Sequence, residues 1–512
     1  MEVTKGPRDS DDIPQKSASG LERPGERPTN TEDDEERPSG VEQGTAARDQ
    51  LDSDRQSERP SGFLSLAPDV LAKTQPLGRR RSLWLGVDYG TSMSKLVITD
   101  YDFRDGTRSF PVRPQNGGGQ HGDYRIPSTL TLESGAIRFG VEAESHADAA
   151  EGVYRSMKML CAYPTRFYGD TASLPTGLDA RDLATLFVGH LIQLGEQAAT
   201  RYANGLGAEP SFGITLGVPM AQLDDEGLHG MFVAIAREAF KLRDKVDLLH
   251  SVAIDSAIDA LSVVRKELKG NDPSEPRDWV RSEAEAALFW AHGSPEIPEG
   301  RYACVDVGAG TTSASWFHIS GKQLGDDFVK DRLSFYGAAC APPGCDAVDA
   351  VLADDLGLPS RAEVREQEAK LLAALSDAGT DALGGVLNEL AGVFGKASKE
   401  AFEKEKSLRR WKGIGRVFFL GGGSKIAAIR DRLTQGREWL MPSPIAEPGV
   451  PADLVEEDGE ELRDDPTFLL VAYGLSRRLA DVPDTFRPSE VVNFQPEHRK
   501  KTRLSHEDLY GN

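Results

Sequence analysis

Residues 83–100 read LWLGVDYGTSMSKLVITD. Leu83, Leu85 and Val87 alternate with Trp84 and Gly86, and Leu96, Val97 and Ile98 resume the apolar run after a polar turn. The pattern predicts a strand, a tight glycine turn and a second strand. Between the strands stand Asp88, Gly90, Thr91, Ser92 and Lys95. Glycine lets main-chain N–H groups approach phosphate oxygens, hydroxyls donate further bonds, a carboxylate orders the water shell of magnesium, and lysine adds a cation. The set suits a polyphosphate with its metal, but the same residues can form a polar hairpin turn on any β protein. Partners elsewhere in the chain decide between the two.

Two later stretches share this grammar. Residues 301–320, RYACVDVGAGTTSASWFHIS, place Asp306 on a strand, Gly308 and Gly310 in a turn, and Thr311 and Thr312 before a second strand. Two such hairpins read as two halves of one cleft, each offering a phosphate-binding turn. Residues 416–433, RVFFLGGGSKIAAIRDRL, run an apolar strand into Gly421, Gly422 and Gly423, after which Ser424 and Lys425 open a helix. A strand–glycine–helix turn aims free N–H groups and the positive helix end at a ligand.

The 512 residues correspond to about three domains on a length prior. With 60 Lys and Arg against 82 Asp and Glu, the net charge is −22. That balance speaks against nonspecific binding to nucleic acid or anionic membranes. Cys161, Cys304, Cys340 and Cys345 form no paired CxxC, and none of the nine His falls in HExxH, so a zinc site is not expected and reduced thiols are. No apolar run reaches membrane-spanning length and the N-terminus lacks the apolar core of a signal peptide. A soluble cytoplasmic protein is expected.

Residues 1–82 are an acidic Pro/Gly/Ser-rich arm with recurring Glu-Arg-Pro, too poor in large apolar groups to offset ordering entropy, and are expected to be disordered. Strands follow at 107–111, 125–132, 136–139 and 212–218, with a short one at 245–251. Helices are expected at 153–160, 179–202, 223–240 and 253–267. His190, on the apolar face of the second of these, reads as a packed core residue. This strand–helix alternation predicts a layered α/β fold. Residues 270–300, Pro-rich at both ends, read as a surface insertion. Residues 345–413 read as mostly helical; Lys396, Lys399, Lys404, Lys406, Arg409 and Arg410 form a solvated face from which one cation could reach a base. The acidic run from Glu456 to Asp465 reads as a solvated loop or a docking site for a basic partner. Residues 467–479 form a last helix, and 484–512 a polar tail.

Taken together, the motifs resemble the superfamily of actin, DnaK-type heat-shock chaperones and sugar kinases. The resemblance runs from about residue 83 to 480. IPS at 126–128 and GCDAVD at 344–349 look DnaK-like. It implies an α/β, two-lobed actin-like ATPase fold of duplicated mixed β-sheet domains with flanking helices, the first lobe at 83–300 and the second at 301–483. It also implies Mg-ATP between the lobes. Asp88 and Asp306 would hold magnesium through water. Gly90, Thr91 and Ser92 would cradle phosphate from one lobe, and Gly308, Gly310, Thr311 and Thr312 from the other. Gly421, Gly422, Gly423, Ser424 and Lys425 would contact ribose and adenine, and Pro219 matches the chaperone's switch proline.

The chain departs from the DnaK pattern. Glu144 stands where its catalytic lysine falls, residues 251–261, SVAIDSAIDAL, lack its Glu-Pro pair, and Ser313 replaces an aspartate. Two features are more actin-like: Lys95 stands seven residues after Asp88, and Asp255 stands where actin has a water-orienting glutamine. Lys95 is therefore the candidate substitute for the missing lysine, since a cation at the β- and γ-phosphates offsets charge in phosphoryl transfer. Asp255 is the candidate catalytic residue, or a solvated helix-start aspartate. The expectation is a slow DnaK-like ATPase without a substrate-binding domain, acting as a conformational switch on a protein partner or co-chaperone-like regulator. A non-hydrolysing nucleotide-binding scaffold and a small-molecule kinase on the same fold are the alternatives.

Overall fold

The computed structural model describes residues 79–491, apart from 105, 115–123, 164–173, 270–278, 293–296, 321–331, 358–380, 405–415, 436–448 and 463–464. The chain opens with β1 (Arg79–Asp88), β2 (Met93–Phe103), β3 (Gly106–Pro111) and β4 (Ile126–Pro127). Then come β5 (Thr129–Glu133), β6 (Ala136–Phe139), α1 (Gly140–Ser145), β7 (Gly152–Arg155), α2 (Met157–Ala162) and α3 (Ala180–Gly205). β8 (Ala208–Val218), α4 (Met220–Leu223), α5 (Glu226–Leu242), β9 (Val252–Ala253), α6 (Ile254–Leu268), β10 (Val280–Ser282), α7 (Glu283–Ala287) and α8 (Phe289–His292) follow. Beyond them lie β11 (Gly300–Val307), β12 (Thr312–Ser320), β13 (Arg332–Ala341), α9 (Cys345–Leu356), α10 (Asp381–Lys404) and β14 (Arg416–Leu420). The last elements are α11 (Ala427–Thr434), α12 (Leu470–Leu475) and β15 (Asp484–Phe486).

The fold is mixed α/β, built on three sheets. In the first the strand order is β10-β8-β1-β2-β3, with β4 on β2; in the second it is β14-β11-β12-β13-β15; the third is β7-β5-β6-β9. The first two share one pairing pattern. β1–β2–β3 and β11–β12–β13 are antiparallel runs, and each first strand takes a parallel neighbour on its other side, β8 or β14. Parallel pairs need a long crossover, and α3 lies on the one that brings the chain back to β8 beside β1. Its start is fixed by a reciprocal cap: Asp182 N donates to Asp179 Oδ1 at 2.8 Å and Asp179 N to Asp182 Oδ2 at 2.9 Å. Leu183, Leu186, Phe187, Leu191 and Leu194 belong to the core on the first sheet, and His190 is buried on the same helix, as the helical spacing requires.

A separate core lies on the second sheet. The ring of Trp316, 1% exposed, stacks on Phe394 of α10 with centroids 5.3 Å apart and donates to Ser398 Oγ at 2.9 Å. α12 presses its small residues onto β1: a β-carbon on Gly86 would strike the backbone of Ala472 and Ser476.

The structure corrects several expectations. Residues 79–82, expected in the arm, begin β1 and run parallel to 208–211, with Arg81 buried against Asp100. The remainder of the arm, residues 1–78, lies outside the described residues. The short strand expected at 245–251 is a turn, and pairing falls instead at β9, on β6. Residues 153–160 are part strand, part helix.

Residues 280–292 belong to no insertion. Val280, Arg281 and Ser282 pair in parallel with Leu216, Gly217 and Val218 at the edge of the first sheet. Residues 270–278 and 293–296 of that segment, which carry three of its four prolines, lie outside the described residues.

Of the acidic run, Asp458, Glu460, Glu461 and Asp465 are exposed and lie outside helix and strand, as expected of a solvated loop, but Glu456 is buried and the residues just before it are tied to the first sheet. Asp453 and Val455 bond to the main chain of Ser109 on β3, at 2.8 and 2.9 Å. Arg477 Nη2 donates to Asp453 Oδ2 at 2.5 Å, and Arg113 Nη2 to Glu456 Oε1 at 2.6 Å. An acidic strap thus covers a sheet edge that would otherwise offer unpaired N–H and C=O groups. In the expected tail, Asp484, Thr485 and Phe486 pair with β13.

Candidate functional site

A cavity of about 690 Å³ opens between the first two sheets, within the size range of small-molecule sites. It lies beyond the carboxyl ends of parallel neighbours in both sheets, where open α/β sheets place ligands. Three turns and two further side chains build it.

The first turn joins β1 to β2. Asp88 and Lys95 face each other in the ladder, and Lys95 Nζ donates to Asp88 Oδ2 at 3.0 Å. The second turn joins β11 to β12, closed by Gly308 N donating to the Thr311 carbonyl at 2.9 Å. The start of α9 is tied to it, since Cys345 N and Asp346 N donate to Gly308 O and Ala309 O, both at 2.9 Å. The third turn leaves β14 through Gly421, whose φ of +75° favours glycine. A β-carbon there would collide with the Asp306 carboxylate and sit 2.6 Å from Val307 O. Glycine is required for this turn to lie over Asp306. Ser424 Oγ then donates to Gly421 O at 2.8 Å.

The other two side chains were not expected from the sequence. Lys158, on α2, is 6% exposed; its Nζ donates to Tyr89 O at 3.0 Å and forms an ion pair with Glu283. Glu283 opens α7 where β10 ends, beside Pro219 at the end of the parallel strand β8. Both residues line the cavity. A lysine within Met-Lys-Met-Leu was a readable signal, because a lysine on an apolar helix face is rarely buried without an anionic partner. For Glu283 the signal was a short apolar strand entering Ser-Glu-Ala-Glu, a helix-start pattern.

Three carboxylates, Asp88, Glu283 and Asp306, thus share the cavity with two ammonium groups, Lys95 and Lys158. Burial, then the negative charges of Glu283 and Asp88, push Asp306 up to about 7, against the pull of Lys95 and Lys158. Burial also raises Glu283, with Lys158 opposing and Asp88 adding. Among the described residues no group of three or more His, Cys, Asp or Glu is arranged to hold a metal ion directly. A cation here would be met through its water shell, as hard Mg²⁺ commonly is.

Of the residues singled out from sequence, Asp88, Gly90, Thr91, Ser92, Lys95, Asp306, Gly308, Thr311, Gly421, Gly422, Gly423, Ser424 and Lys425 line the cavity. Gly310 lies behind the lining, where a β-carbon would stand 2.6 Å from Thr91 Cγ2; the two phosphate-type turns touch there. Thr312 is turned away, its buried hydroxyl donating to Pro343 O at 2.9 Å, and Ser313 faces the cavity instead.

Asp255 is exposed at the start of α6 and outside the lining. α6 follows β9, which belongs to the third sheet, so its first turn does not reach the cleft. Glu144 likewise bonds to Thr129 at 2.7 Å and Arg155 at 2.9 Å, away from the cavity. Lys95, the candidate substitute for the absent lysine, lines the cavity, and a second lysine, Lys158, lines it as well. Lys399 and Lys404 pair with Glu403 and Glu400 along α10, and neither they nor Lys396 line the cavity; Lys406, Arg409 and Arg410 lie outside the described residues.

His190 is a core residue, as expected. Its Nδ1 bonds to Leu248 O at 2.7 Å, its ring stacks on Phe139, and burial lowers its pKa to about 4. No helix among the described residues is long and apolar enough to cross a membrane.

No family model matches the chain, and no curated protein matches it.

Proposed function

We propose that the chain binds Mg-ATP in this cleft, hydrolyses it slowly, and uses the nucleotide state to alter its contact with a protein partner. One observation carries the reading. Two Asp–Gly–Thr/Ser turns from the two sheets face one cavity that also holds Lys158 and Glu283. The finer fold that accompanies it is the two-lobed actin-like ATPase, with lobes at about 83–300 and 301–483. The matched strand pairing of the first two sheets supports that assignment.

The donor set fits a hydrated magnesium ion. Asp88 and, when ionised, Asp306 supply acceptor-only oxygens, and the carboxylates of Glu283 and Asp88, which add to the effect of burial in raising Asp306, favour added positive charge beside it. Magnesium, when bound, neutralises phosphate charge. Asp88 and Asp306 would hold its water shell. The N–H groups and hydroxyls of Gly90, Thr91, Ser92, Gly308 and Thr311 orient the phosphates. Lys158 and Lys95 offset the charge that shifts as the terminal P–O bond breaks. Glu283, held by Lys158 inside the cleft, accepts a hydrogen bond from the attacking water and orients it. Pro219 sits between the end of β8 and α4, where a change in the angle between the two halves would be felt.

Single-turnover hydrolysis on the full chain tests the reading. Slow ATP cleavage is expected in the wild type. Glu283→Gln and Lys158→Ala should slow it by about a hundredfold or more, while Asp255→Asn leaves it unchanged. Tight binding with no cleavage in the wild type would favour the scaffold, and turnover only on addition of a metabolite would favour a kinase.

A further inference from the structure

The cavity continues past the phosphate-type turns to an end lined by Arg125, Lys425, Arg430, Asp465 and Phe468. Phe419 and Phe468 are the aromatic residues in the lining, and Phe419 is 8% exposed, packed in the core of the second sheet. Phe468 is half-buried and presents ring surface to the space. It stands on a 3-10 turn, Pro466–Leu469, that is held at both ends. At its start Asp465 Oδ1 accepts from Thr467 N at 3.0 Å and Thr467 Oγ1 at 2.6 Å, and at its end Leu469 is fully buried. The backbone that carries the ring is therefore anchored before any ligand arrives, which lowers the ordering cost of binding.

The surroundings of the ring are those of a stacking site. A β-carbon on Gly422 would lie 4.0 Å from Phe468 Cε1, ordinary contact distance, so an edge of the ring stands beside the glycine turn. Lys425 Nζ stands 4.1 Å from the ring centroid and Arg125 Cζ 5.9 Å. The Lys425 side chain is half-exposed and also pairs with Asp465. A long, half-exposed side chain of this kind can give way to a flat ligand and still keep its head on a ribose or phosphate oxygen.

We infer that Phe468 is the stacking platform for the base of the bound nucleotide, and that it makes the cleft select a purine nucleotide over a bare polyphosphate or a phosphorylated small metabolite. The inference rests on the nucleotide reading given above and adds the residue that recognises the base. Every base offers a π-face, and a purine covers more of one phenyl ring than a pyrimidine does. Discrimination between adenine and guanine is left to edge contacts, so the ring alone separates purines from pyrimidines and from ligands with no base.

The test compares Mg-ATP with Mg-tripolyphosphate by calorimetric titration of the full chain, in the wild type, Phe468→Ala and Phe468→Trp. Base–aromatic stacking implies that Phe468→Ala weakens Mg-ATP by roughly five- to a hundredfold and leaves Mg-tripolyphosphate within about twofold of wild type on the same stacking argument. Phe468→Trp should retain ATP affinity and show nucleotide-dependent quenching of the new indole. Unchanged ATP affinity in Phe468→Ala would overturn the inference, as would equal loss of both ligands. Wild-type protein that binds Mg-tripolyphosphate no more weakly than Mg-ATP would overturn it while leaving the phosphate site standing. Binding of neither ligand by the wild type would remove the nucleotide reading itself.

Discussion

Lys158 and Glu283, 125 residues apart in sequence, form a buried ion pair in the cleft. One opens onto it from a helix beside the first turn, the other from a helix start at the edge of the first sheet. Removing one partner of such a pair leaves an uncompensated charge, whereas removing both does not. Lys158→Met and Glu283→Gln should each destabilise the fold by about 1–3 kcal/mol, less than a dry interior would give because the cleft admits water. The double variant should recover part of that loss, with a coupling of about 0.5–3 kcal/mol. Urea midpoints of the four proteins measure it, and strictly additive effects would mean that the two groups are independent.

The contact between Gly310 and Thr91 gives a second test. Gly310→Ala would put a methyl against Thr91 Cγ2 at 2.6 Å. Overpacking of this kind costs about 1–3 kcal/mol. Thr91→Ser deletes the obstructing methyl, so Gly310→Ala should cost clearly less in a Thr91→Ser background. Equal cost in both backgrounds, by thermal or urea unfolding, would show that the two turns do not touch.

His190 is buried and neutral, with a pKa lowered to about 4 from an ordinary 6.5. Unfolded chains take up a proton below about 6.5 while the folded protein does not. Stability is therefore unaffected by this residue above about 6.5 and is lost progressively as pH falls toward about 4. The full difference is about 3 kcal/mol at 1.36 kcal/mol per pKa unit. His190→Gln should flatten the wild-type decline in urea midpoint between pH 6.5 and 4, and an identical slope in both proteins would place the pH sensitivity elsewhere.

The strap over β3 is held by Asp453, whose carboxylate takes bonds from Arg477, Thr107 and Tyr473. Asp453→Ala leaves the Arg477 guanidinium, itself 5% exposed, without its carboxylate. A loss of about 1–3 kcal/mol is expected from that charge-assisted set, measured by urea unfolding. A change under about 0.5 kcal/mol would put the strap among ordinary surface contacts.

The parts of the site written in contiguous sequence were legible. Asp88 to Lys95, Asp306 to Thr311 and Gly421 to Lys425 are strand–turn segments in which spacing alone dictates which side chains reach the turn. Thr312 was misassigned because one residue along a strand reverses the facing side. Lys158 and Glu283 act only through tertiary approach, and no local pattern pairs a lysine on one helix with a glutamate more than a hundred residues away. Glu283 was further obscured by prolines that punctuate the strand–helix unit carrying it. Asp255 was chosen from a residue likeness in a local string, and sheet pairing at β9 places its helix start outside the lining of the cleft. Phe468 had no signal at all, since its role depends on standing beside a glycine turn from another element.

Magnesium-dependent nucleotide binding tests the central claim most directly. Equilibrium titration of ATP into the full chain should give saturable binding with magnesium, little binding in excess chelator, and a loss of about tenfold or more in Asp306→Ala, since hydrogen bonds to a charged group are worth about 1.5–3 kcal/mol. No binding by the wild type, or binding indifferent to both magnesium and Asp306→Ala, would contradict the account.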